Sequence, residues 1–349
     1  MLTCRPLPLP LQTPFRTAHG ADRARTNALV ELTGADGRSF FGEGALPPYY
    51  PHDGADVQSY VEALDAAALL DRPPFALEAA LARLPDGGPP PARCAVDLAL
   101  HDRWAQALGR PLHELLGLDP SDAPPSSITL SLAGDLEALR DKARAEQERS
   151  VLKLKLGAGS VEEDERAVRA VQEAASSAAL GVDANEAWTV EEAAALIPRL
   201  PDVLFVEEPI RAREPAAWQA LAGRLADVPH APLIADESVQ SAGDVAALAP
   251  SVGGANVKLA KAGGIAGARR WIAVARALGL KVLLGCMIES SLAVTAAAHL
   301  APLADFTDLD GALSLAEDPF AGATLGAGGR LSLPERPGLG AVPAQSSHR

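Results

Sequence analysis

A short run in the middle of the chain reads Ser150-Val-Leu-Lys-Leu-Lys-Leu-Gly157. Its alternation of leucine and lysine predicts a β-strand with Lys153 and Lys155 on one face. On a solitary antiparallel strand such lysines would simply face water. Here, however, further apolar runs follow, and each ends in an acid or a lysine and leads into an alanine-rich helix. The two lysines are therefore interpreted together with that whole series.

The composition of the chain narrows its class. Its 349 residues suffice for two domains or for one large barrel with an appendage. A hydrophobic share of 48% and a charged share of 22% are ordinary for a globular protein. The formal net charge of −14 argues against nucleic acid or an anionic membrane surface as a partner. No signal-peptide pattern and no apolar run of about 18 residues occurs, so we expect a cytoplasmic protein.

The first part of the chain predicts an α+β domain. Residues 28–33 and 39–42 read as two strands of a hairpin, and helices are predicted over residues 57–70, 74–84 and 91–108. Two irregular stretches, residues 13–25 and 47–54, are either loops that cover a substrate or ordinary surface connections.

From residue 128 onward, strands and helices alternate strictly. Eight strands are predicted near residues 128–132, 150–157, 179–183, 203–208, 233–237, 255–259, 281–287 and 305–308. Their nearly continuous apolar runs are typical of parallel strands that are buried on both sides. We therefore predict a (β/α)8 barrel, a modified TIM barrel, over residues 124–319. An N-terminal α+β capping domain would comprise residues 1–123 and be completed by the C-terminal tail, about residues 320–349.

Three acids end consecutive predicted strands. Asp183, Glu207 and Asp236 should lie side by side at the C-terminal end of the barrel, where barrel enzymes keep their chemistry. Carboxylates without histidine or cysteine suit a hard cation, and we expect Mg²⁺. Glu208 should point to the opposite face of its strand and support the ligands from behind. The alternative is three unrelated acids near helix N-termini.

Two lysines complete the predicted site. Lys155 lies on the second predicted strand and Lys258 on the sixth, and strands four apart face each other across an eight-stranded barrel. One amine could remove the α-proton of a carboxylate substrate and the other could return it to the opposite face, which is racemisation or epimerisation. Lys153 should lower the pKa of Lys155 by its like charge. Mg²⁺ would stabilise the enediolate that proton loss creates.

Five motifs carry a resemblance to a known family. They are Lys153-Leu-Lys155, Asp183-Ala-Asn-Glu186, Glu207-Glu-Pro209, Ala235-Asp-Glu-Ser238 and Asn256-Val-Lys258-Leu-Ala-Lys-Ala-Gly-Gly-Ile265. The chain resembles the muconate lactonizing enzyme subgroup of the enolase superfamily, whose sites combine a lysine base with Mg²⁺. The mandelate racemase subgroup would offer a histidine base near the end of the seventh strand, where Gly285-Cys-Met-Ile-Glu-Ser290 has none.

The end of the barrel is similar to that of dipeptide epimerases of the L-Ala-D/L-Glu type. The resemblance implies that Asp308 and Asp310, in Thr307-Asp-Leu-Asp-Gly311, hold the free α-ammonium of a dipeptide. It also implies that Met287 contacts the substrate. Turn-forming aspartates before a glycine are the alternative interpretation. Possible loop contacts, of which the arginines could pair with an acidic side chain, are Arg16, Arg23, Arg25 and Tyr50.

Other functions remain open at this point. An o-succinylbenzoate synthase or an N-acylamino acid racemase would share the scaffold, but their substrates lack the ammonium that Asp308 and Asp310 would bind. A non-catalytic barrel, used for binding or structure, would be expected to have lost bases or ligands, yet all five are present. We expect the only partners to be a small-molecule dipeptide and further copies of the chain, in a homo-oligomer.

Overall fold

The computed structural model describes residues 1–17, 20–85, 87–131, 135–200 and 202–345, without the side chains of residues 14–17 and 20–22. An antiparallel sheet opens the chain, with strands β1 (Leu2–Thr17), β2 (Gly20–Thr33) and β3 (Ser39–Gly44). Five helices follow it: α1 (Gly54–Glu62), α2 (Ala66–Leu70), α3 (Leu77–Leu81), α4 (Pro90–Leu108) and α5 (Leu112–Leu115). These elements form the capping layer.

The second part of the chain is an eight-stranded parallel sheet. Its strands are β4 (Ile128–Leu130), β5 (Val151–Lys155), β6 (Ala179–Asp183), β7 (Val203–Glu207), β8 (Leu233–Ala235), β9 (Gly254–Lys258), β10 (Lys281–Gly285) and β11 (Phe306–Asp308). Its helices are α6 (Leu136–Ala145), α7 (Val161–Ala174), α8 (Val190–Leu196), α9 (Pro215–Leu225), α10 (Ala242–Leu248), α11 (Leu259–Ala262), α12 (Ile265–Ala277) and α13 (Ser291–Ala298). Four short strands end the chain: β12 (Phe320–Ala321), β13 (Thr324–Leu325), β14 (Leu331–Ser332) and β15 (Val342–Pro343).

The parallel strands pair in chain order and the sheet closes on itself. A parallel bridge joins Ser126, just before β4, to Thr307 in β11, and the backbone N–H of Ser127 donates to the Thr307 carbonyl at 2.9 Å. The predicted (β/α)8 barrel is therefore confirmed. In β5, Leu152 and Leu154 belong to the main hydrophobic core, whereas the lysines between and after them reach carboxylates inside the barrel. The alternation of leucine and lysine in the sequence thus places the leucines in the hydrophobic core and the lysines among the carboxylates inside the barrel.

Buried acids of the capping layer dock it onto the barrel. Glu43 in β3 accepts hydrogen bonds from the backbone N–H of Ser290, the N-cap of α13, and from Asn27 in β2. Asp97 in α4 accepts from the backbone N–H of Ile265, the first residue of α12, at 2.6 Å. Each carboxylate satisfies a backbone donor at a helix N-terminus, where negative charge is favoured. The capping layer is thereby fixed over the ends of β9 and β10.

The C-terminal tail returns to the capping layer. Phe320 in β12 packs edge-on against Phe41, with ring centroids 5.6 Å apart. Asp102 in α4 accepts a hydrogen bond from the backbone N–H of Leu339 at 2.9 Å. In the described part of the chain, no helix is both long and apolar enough to span a membrane.

Several predicted boundaries differ from the structure. Most of the stretch 13–25 is not a loop, because β1 and β2 extend through it as a long hairpin with a register shift between Pro10 and Phe15. The predicted helix 57–70 is two helices, since the side chain of Asp65 accepts from the backbone N–H groups of Ala67 and Ala68 and starts α2 anew. The fifth and seventh barrel strands end at Ala235 and Gly285, earlier than predicted.

Candidate active site

Strand register brings the predicted site residues into one layer. Lys155 of β5 is aligned with Asp183 of β6, and Asp183 is aligned with Glu207 of β7. Asp236 follows directly after β8, the next strand of the sheet. The three acids are completely or almost completely buried. Buried carboxylates need compensating charge, and the surrounding lysines supply part of it.

Lys155 and Lys258 lie on opposite walls of one cavity. Their strands, β5 and β9, are four apart in the closed barrel, and both side chains line the central cavity. The Nζ atom of Lys155 is 2.6 Å from Oδ2 of Asp183. The Nζ atom of Lys258 is 2.6 Å from Oδ2 of Asp236. Each amine thus contacts one of the acids from its own side.

Lys153 contacts more carboxylates than the other lysines of the site do. Its side chain is 1% exposed, and its Nζ atom lies 3.0 Å from Asp183, 2.6 Å from Glu207 and 2.7 Å from Asp308. One ammonium group therefore joins carboxylates from three strands. The pKa of Lys153 lies well above its usual value, because these carboxylates outweigh the lowering effect of burial.

The like charge of Lys153 is only one of several influences on the pKa of Lys155. Burial lowers the pKa of Lys155, and the like charge of Lys153 lowers it too. The Asp183 carboxylate raises it, however, and the net pKa lies above the usual value. The predicted lowering by the like charge of Lys153 is therefore confirmed, but the Asp183 carboxylate that Lys155 contacts outweighs it.

A fourth lysine was missed from the sequence. Lys261 on α11 is buried, and its Nζ atom contacts both Oδ1 of Asp236, at 2.5 Å, and the backbone carbonyl of the same residue, at 2.6 Å. It lies one turn of helix after Lys258, at an i, i+3 spacing that was visible in the motif around Lys258. Asp236 is thus held by two lysines, as Asp183 is held by Lys153 and Lys155.

Glu208 lies behind the predicted ligands. Its carboxylate accepts from the backbone N–H of Asp236 at 2.6 Å and from the hydroxyl of Ser238 at 2.5 Å. Trp218 in turn donates to Ser238. Glu207 instead contacts Lys153 and accepts a hydrogen bond from Asn256 at 2.7 Å. The side chains of the two adjacent glutamates therefore have different partners on opposite faces of the strand, because successive side chains of a strand alternate between its faces.

The site has more carboxyl groups than ammonium groups. The carboxyl groups are those of Asp183, Glu207, Glu208, Asp236, Glu237, Asp308 and Asp310, and the ammonium groups are those of Lys153, Lys155, Lys258 and Lys261. Burial and the charge of Asp183 raise the pKa of Glu207 to about 8. Burial and the charge of Asp236 raise the pKa of Glu237 to about 7. Further positive charge would therefore stabilise this cluster.

The donor set fits a hard divalent cation. In the part of the chain that the structure describes, no group of three His, Cys, Asp or Glu side chains is arranged to hold a metal ion, and lysine ammonium groups lie between the carboxylates. Glu237 Oε2 and Asn185 Oδ1 are nevertheless buried without a hydrogen-bond partner, and both residues line the cavity. The strand-end carboxylates and the Asn185 amide offer oxygen donors, and Mg²⁺ prefers oxygen ligands. The excess of acids and these unpaired oxygens are what a bound cation would relieve.

Asp308 and Asp310 both line the cavity but have different partners. Asp308, the last residue of β11, contacts Lys153 and accepts a hydrogen bond from the Ser127 hydroxyl at 2.7 Å. Asp310 lies beyond the strand and accepts from the backbone N–H of Thr129 at 2.6 Å. Burial and the neighbouring charge of Asp308 raise the pKa of Asp310 to about 6. Asp308 is thus paired with an ammonium group of the protein, whereas Asp310 accepts from a neutral backbone donor.

Residues of the capping layer cover the cavity. Arg25 and Tyr49 line it together with Met287 from the loop after β10. The Tyr49 hydroxyl lies 3.8 Å from the Met287 sulfur, which is 4.0 Å from Nζ of Lys258. Tyr50 packs in a small apolar cluster with Met287. Arg23 is exposed, and the side chain of Arg16 lies outside the described residues.

Comparisons with known proteins identify the family. The model described as "Mandelate racemase / muconate lactonizing enzyme, N-terminal domain" matches residues 2–117, and the one described as "Enolase C-terminal domain-like" matches residues 136–347. The chain belongs to the mandelate racemase and muconate lactonizing enzyme family of the enolase superfamily. Relatives that are 30% to 31% identical to this chain include named epimerases. The chain is an enzyme of the isomerase class.

Three relatives illustrate the similarity. The chain is 31% identical over 349 residues to the L-Ala-D/L-Glu epimerase of Bacteroides thetaiotaomicron, in an alignment that covers 98% of this chain and 87% of the relative. Its fold is similar to the substrate-liganded L-Ala-D/L-Glu epimerase of Bacillus subtilis, with a TM-score of 0.89 and 30% identity over 99% of both chains. A dipeptide epimerase from Enterococcus faecalis, complexed with Mg and the dipeptide L-Leu-L-Tyr, gives a TM-score of 0.87 at 29% identity over 97% of this chain and 98% of that chain.

Proposed function

We propose that this protein is a Mg²⁺-dependent dipeptide epimerase that inverts the α-carbon of the C-terminal residue, with substrates of the L-Ala-D/L-Glu type. The observation that carries the proposal is the pair of amines on opposite barrel walls, Lys155 and Lys258, with acids on the strands between them. Inversion requires proton removal from one face and proton delivery to the other. Two opposed bases perform this without turning the substrate over.

The acids between the amines would hold the metal. Asp183, Glu207 and Asp236 would bind Mg²⁺, and Glu208 would support them through its hydrogen bond from the Asp236 backbone. When bound, Mg²⁺ would neutralise the substrate carboxylate and stabilise the charge that develops as the α-proton leaves. Each of these lysines pairs with one of the acids as an ammonium group. Once the charge of that acid is taken up elsewhere, the pKa of the lysine would fall, so that it could lose its proton and then act as the neutral base.

The chain itself supplies the proton transfers. Either Lys155 or Lys258, as the neutral amine, accepts the α-proton, while the opposite lysine, as the ammonium, donates a proton to the other face. Lys153 and Lys261 hold the neighbouring acids in position through their ion pairs. Tyr49 and Met287 close the cavity above Lys258 and limit the access of water.

The two ends of the dipeptide would be bound by different parts of the protein. Asp308 and Asp310, at and just beyond the end of β11, would bind the free α-ammonium by charge-assisted hydrogen bonds. Arg25 lines the same cavity from the capping layer and would pair with an acidic side chain on the residue that is inverted. The relatives named above are associated with different dipeptides, so the acidic preference rests on Arg25.

The proposal is tested by a screen of L,L-dipeptides in D₂O with Mg²⁺, in which α-deuteration appears as a mass increase. We expect deuterium at the C-terminal residue, fastest for dipeptides that end in glutamate. Exchange of N-acylamino acids but not of free dipeptides would identify an N-acylamino acid racemase instead, and loss of water from a succinylbenzoate precursor would identify a synthase. A barrel that exchanges none of these compounds would contradict catalysis altogether.

A further inference from the structure

The carboxylates of Asp183 and Glu207 each have one oxygen that a neutral donor of the protein occupies. Oδ1 of Asp183 accepts from the backbone N–H of Asn185 at 2.9 Å. Oε1 of Glu207 accepts from the side-chain amide of Asn256, which is completely buried in β9, at 2.7 Å. The other oxygens of the two acids, Oδ2 and Oε2, lie 3.0 Å and 2.6 Å from Nζ of Lys153. Each acid is therefore left with a single oxygen that faces positive charge.

Asp236 is held in the same way, but by a charged donor. Its Oδ1 atom accepts from Nζ of Lys261 at 2.5 Å, and its Oδ2 atom lies 2.6 Å from Nζ of Lys258. Lys261 is only 4% exposed, donates also to the backbone carbonyl of Asp236 at 2.6 Å, and lies 6.0 Å from the ring centroid of Trp271. Because one ammonium group binds both the carboxylate and the carbonyl of the same residue, it fixes the rotation of the Asp236 side chain.

The lysines on the remaining oxygens differ from Lys261 in position. Lys155 and Lys258 each contact the Oδ2 atom of an acid, and both line the central cavity. A cation that binds the acids from this cavity takes the place of these two lysines, while Lys153 retains Asp308 as a partner. Lys261 instead lines a neighbouring cavity and stays on its oxygen.

The number of oxygens that a carboxylate offers decides which cation it suits. Mg²⁺ demands nearly ideal octahedral coordination, and the two oxygens of one carboxylate lie too close together to occupy two corners of such an octahedron. Ca²⁺ accepts about six to eight oxygens in a flexible arrangement and is often bound by both oxygens of a carboxylate. Acids that offer one oxygen each therefore favour Mg²⁺, whereas an acid with both oxygens free favours Ca²⁺.

We propose that Lys261 and Asn256 select the cation: by occupying one oxygen of Asp236 and one of Glu207, they confine each acid to a single metal bond and favour Mg²⁺ over Ca²⁺. The inference rests on the metal ligands of the proposed function and assigns to these two residues a task separate from proton transfer. Both are positioning residues, since each acts on the metal through the acid that it holds.

The test is a calorimetric titration of metal-free protein with Mg²⁺ and, separately, with Ca²⁺. The decisive quantity is the Kd for Mg²⁺ divided by the Kd for Ca²⁺. Lys261→Met frees Oδ1 of Asp236 and should raise this ratio by about 10-fold or more, because Ca²⁺ gains an oxygen ligand that Mg²⁺ cannot use. Asn256→Ala frees Oε1 of Glu207 and should raise the ratio in the same direction without changing any charge.

Two control variants separate the freed oxygen from the altered charge. Lys155→Met removes an ammonium group from the same cluster but leaves Oδ1 of Asp183 on its backbone donor, so both ions should bind more tightly and the ratio should stay within about twofold of the wild type. Lys261→Arg keeps a charged donor at Asp236 and should keep the ratio near that of the wild type.

An unchanged ratio in Lys261→Met or in Asn256→Ala would overturn the inference. The same holds for a ratio that rises as much in Lys155→Met or in Lys261→Arg as in Lys261→Met, since charge or packing would then explain the effect. If Lys261→Met does not fold, Asn256→Ala carries the test, because it is neutral and acts on a different ligand.

Failure of the proposed function has a separate readout, which is α-deuteration of L-Ala-L-Glu by the Mg²⁺-loaded wild type. If the ratios shift as predicted while no dipeptide is deuterated, the proposed function fails and the inference stands. If dipeptides are deuterated while the ratios stay constant, only the inference fails. A wild type that binds neither ion would contradict the metal ligands and the inference together.

Discussion

The floor and the upper wall of the cavity are built on different principles. We define the floor as the charged residues in or just after the barrel strands, Lys153, Lys155, Asp183, Glu207, Asp236, Lys258 and Lys261, and the upper wall as the capping residues Arg25, Asn27, Tyr49 and Tyr50. In the floor, ammonium and carboxylate groups meet at 2.5 to 3.0 Å. In the upper wall the aromatic rings of Tyr49 and Tyr50 pack at 5.1 Å, and the contact to Met287 is made through its sulfur.

This difference separates reaction type from substrate preference. The floor residues lie in, or shortly after, strands that are hydrogen-bonded on both sides, so their spacing is fixed by the barrel. The upper wall comes from a hairpin and a loop of another layer and can vary without disturbing the floor. We therefore expect substitutions in the floor to affect all substrates alike, and substitutions in the wall to change which substrate is preferred.

The largest expected effect is that of removing the metal or one of its ligands. Exhaustive chelation, or Glu207→Gln, should lower kcat/KM by about 1000-fold or more, because the charge that develops in the transition state loses several kcal/mol of stabilisation. Glu208→Gln should cost only about 10- to 100-fold, since Glu208 contacts the Asp236 backbone and Ser238. Calorimetric titration with Mg²⁺ provides the parallel measurement of affinity. Activity that survives chelation, or a larger loss of affinity in Glu208→Gln, would contradict the ligand assignment.

An intermediate effect is expected from the lysines that hold the acids. Lys153→Met should lower the free energy of unfolding by about 3–5 kcal/mol, because three buried carboxylates lose their shared cation. Lys261→Met should cost less, about 1–3 kcal/mol, since one carboxylate and one carbonyl are affected. Lys281→Met is the matched control, with a side chain that is 49% exposed and an expected change of at most about 1 kcal/mol. Denaturant unfolding of metal-free protein ranks the three, and equal losses would show that the floor is not a connected cluster.

The smallest effect is expected in the upper wall. Arg25→Gln should lower kcat/KM for L-Ala-L-Glu by about 10- to 100-fold, the cost of one charge-assisted contact, and change that for L-Ala-L-Leu by less than about threefold. Arg23→Gln, on an exposed residue of the same strand, is the control and should change neither. If Arg25→Gln lowered kcat/KM equally for both dipeptides, Arg25 would support the structure of the site in general and would not determine which substrate is preferred.

The sequence predicted the floor well because its rules are local. A strand places alternate residues on one face, and the length of one strand–helix unit sets the distance to the next, so Lys155, Asp183 and Lys258 could be assigned to neighbouring or opposite strands. Lys261 was missed because its partner Asp236 lies 25 residues away and only the tertiary fold brings them together. The contact between Lys153 and Asp308 spans 155 residues and was missed for the same reason.

The upper wall could not be derived from the sequence in this way. Arg25 reaches the cavity because β1 and β2 form a long hairpin and because Glu43 and Asp97 dock the capping layer onto barrel helices. Neither docking contact leaves a periodic signal, since each joins residues more than 160 positions apart. Sequence analysis therefore named three arginines, Arg16, Arg23 and Arg25, without choosing among them.

The two-base arrangement of Lys155 and Lys258 is tested most directly by the stereochemistry of exchange in single-base variants. Lys155→Ala and Lys258→Ala are incubated in D₂O with L-Ala-L-Glu and, separately, with L-Ala-D-Glu, and deuterium at the glutamate α-carbon is followed by mass spectrometry. Each variant should stop epimerisation but still exchange the α-proton of one epimer, and the two variants should exchange opposite epimers, because the remaining amine still reaches its own face. Exchange of the same epimer by both variants would contradict the opposed-base geometry.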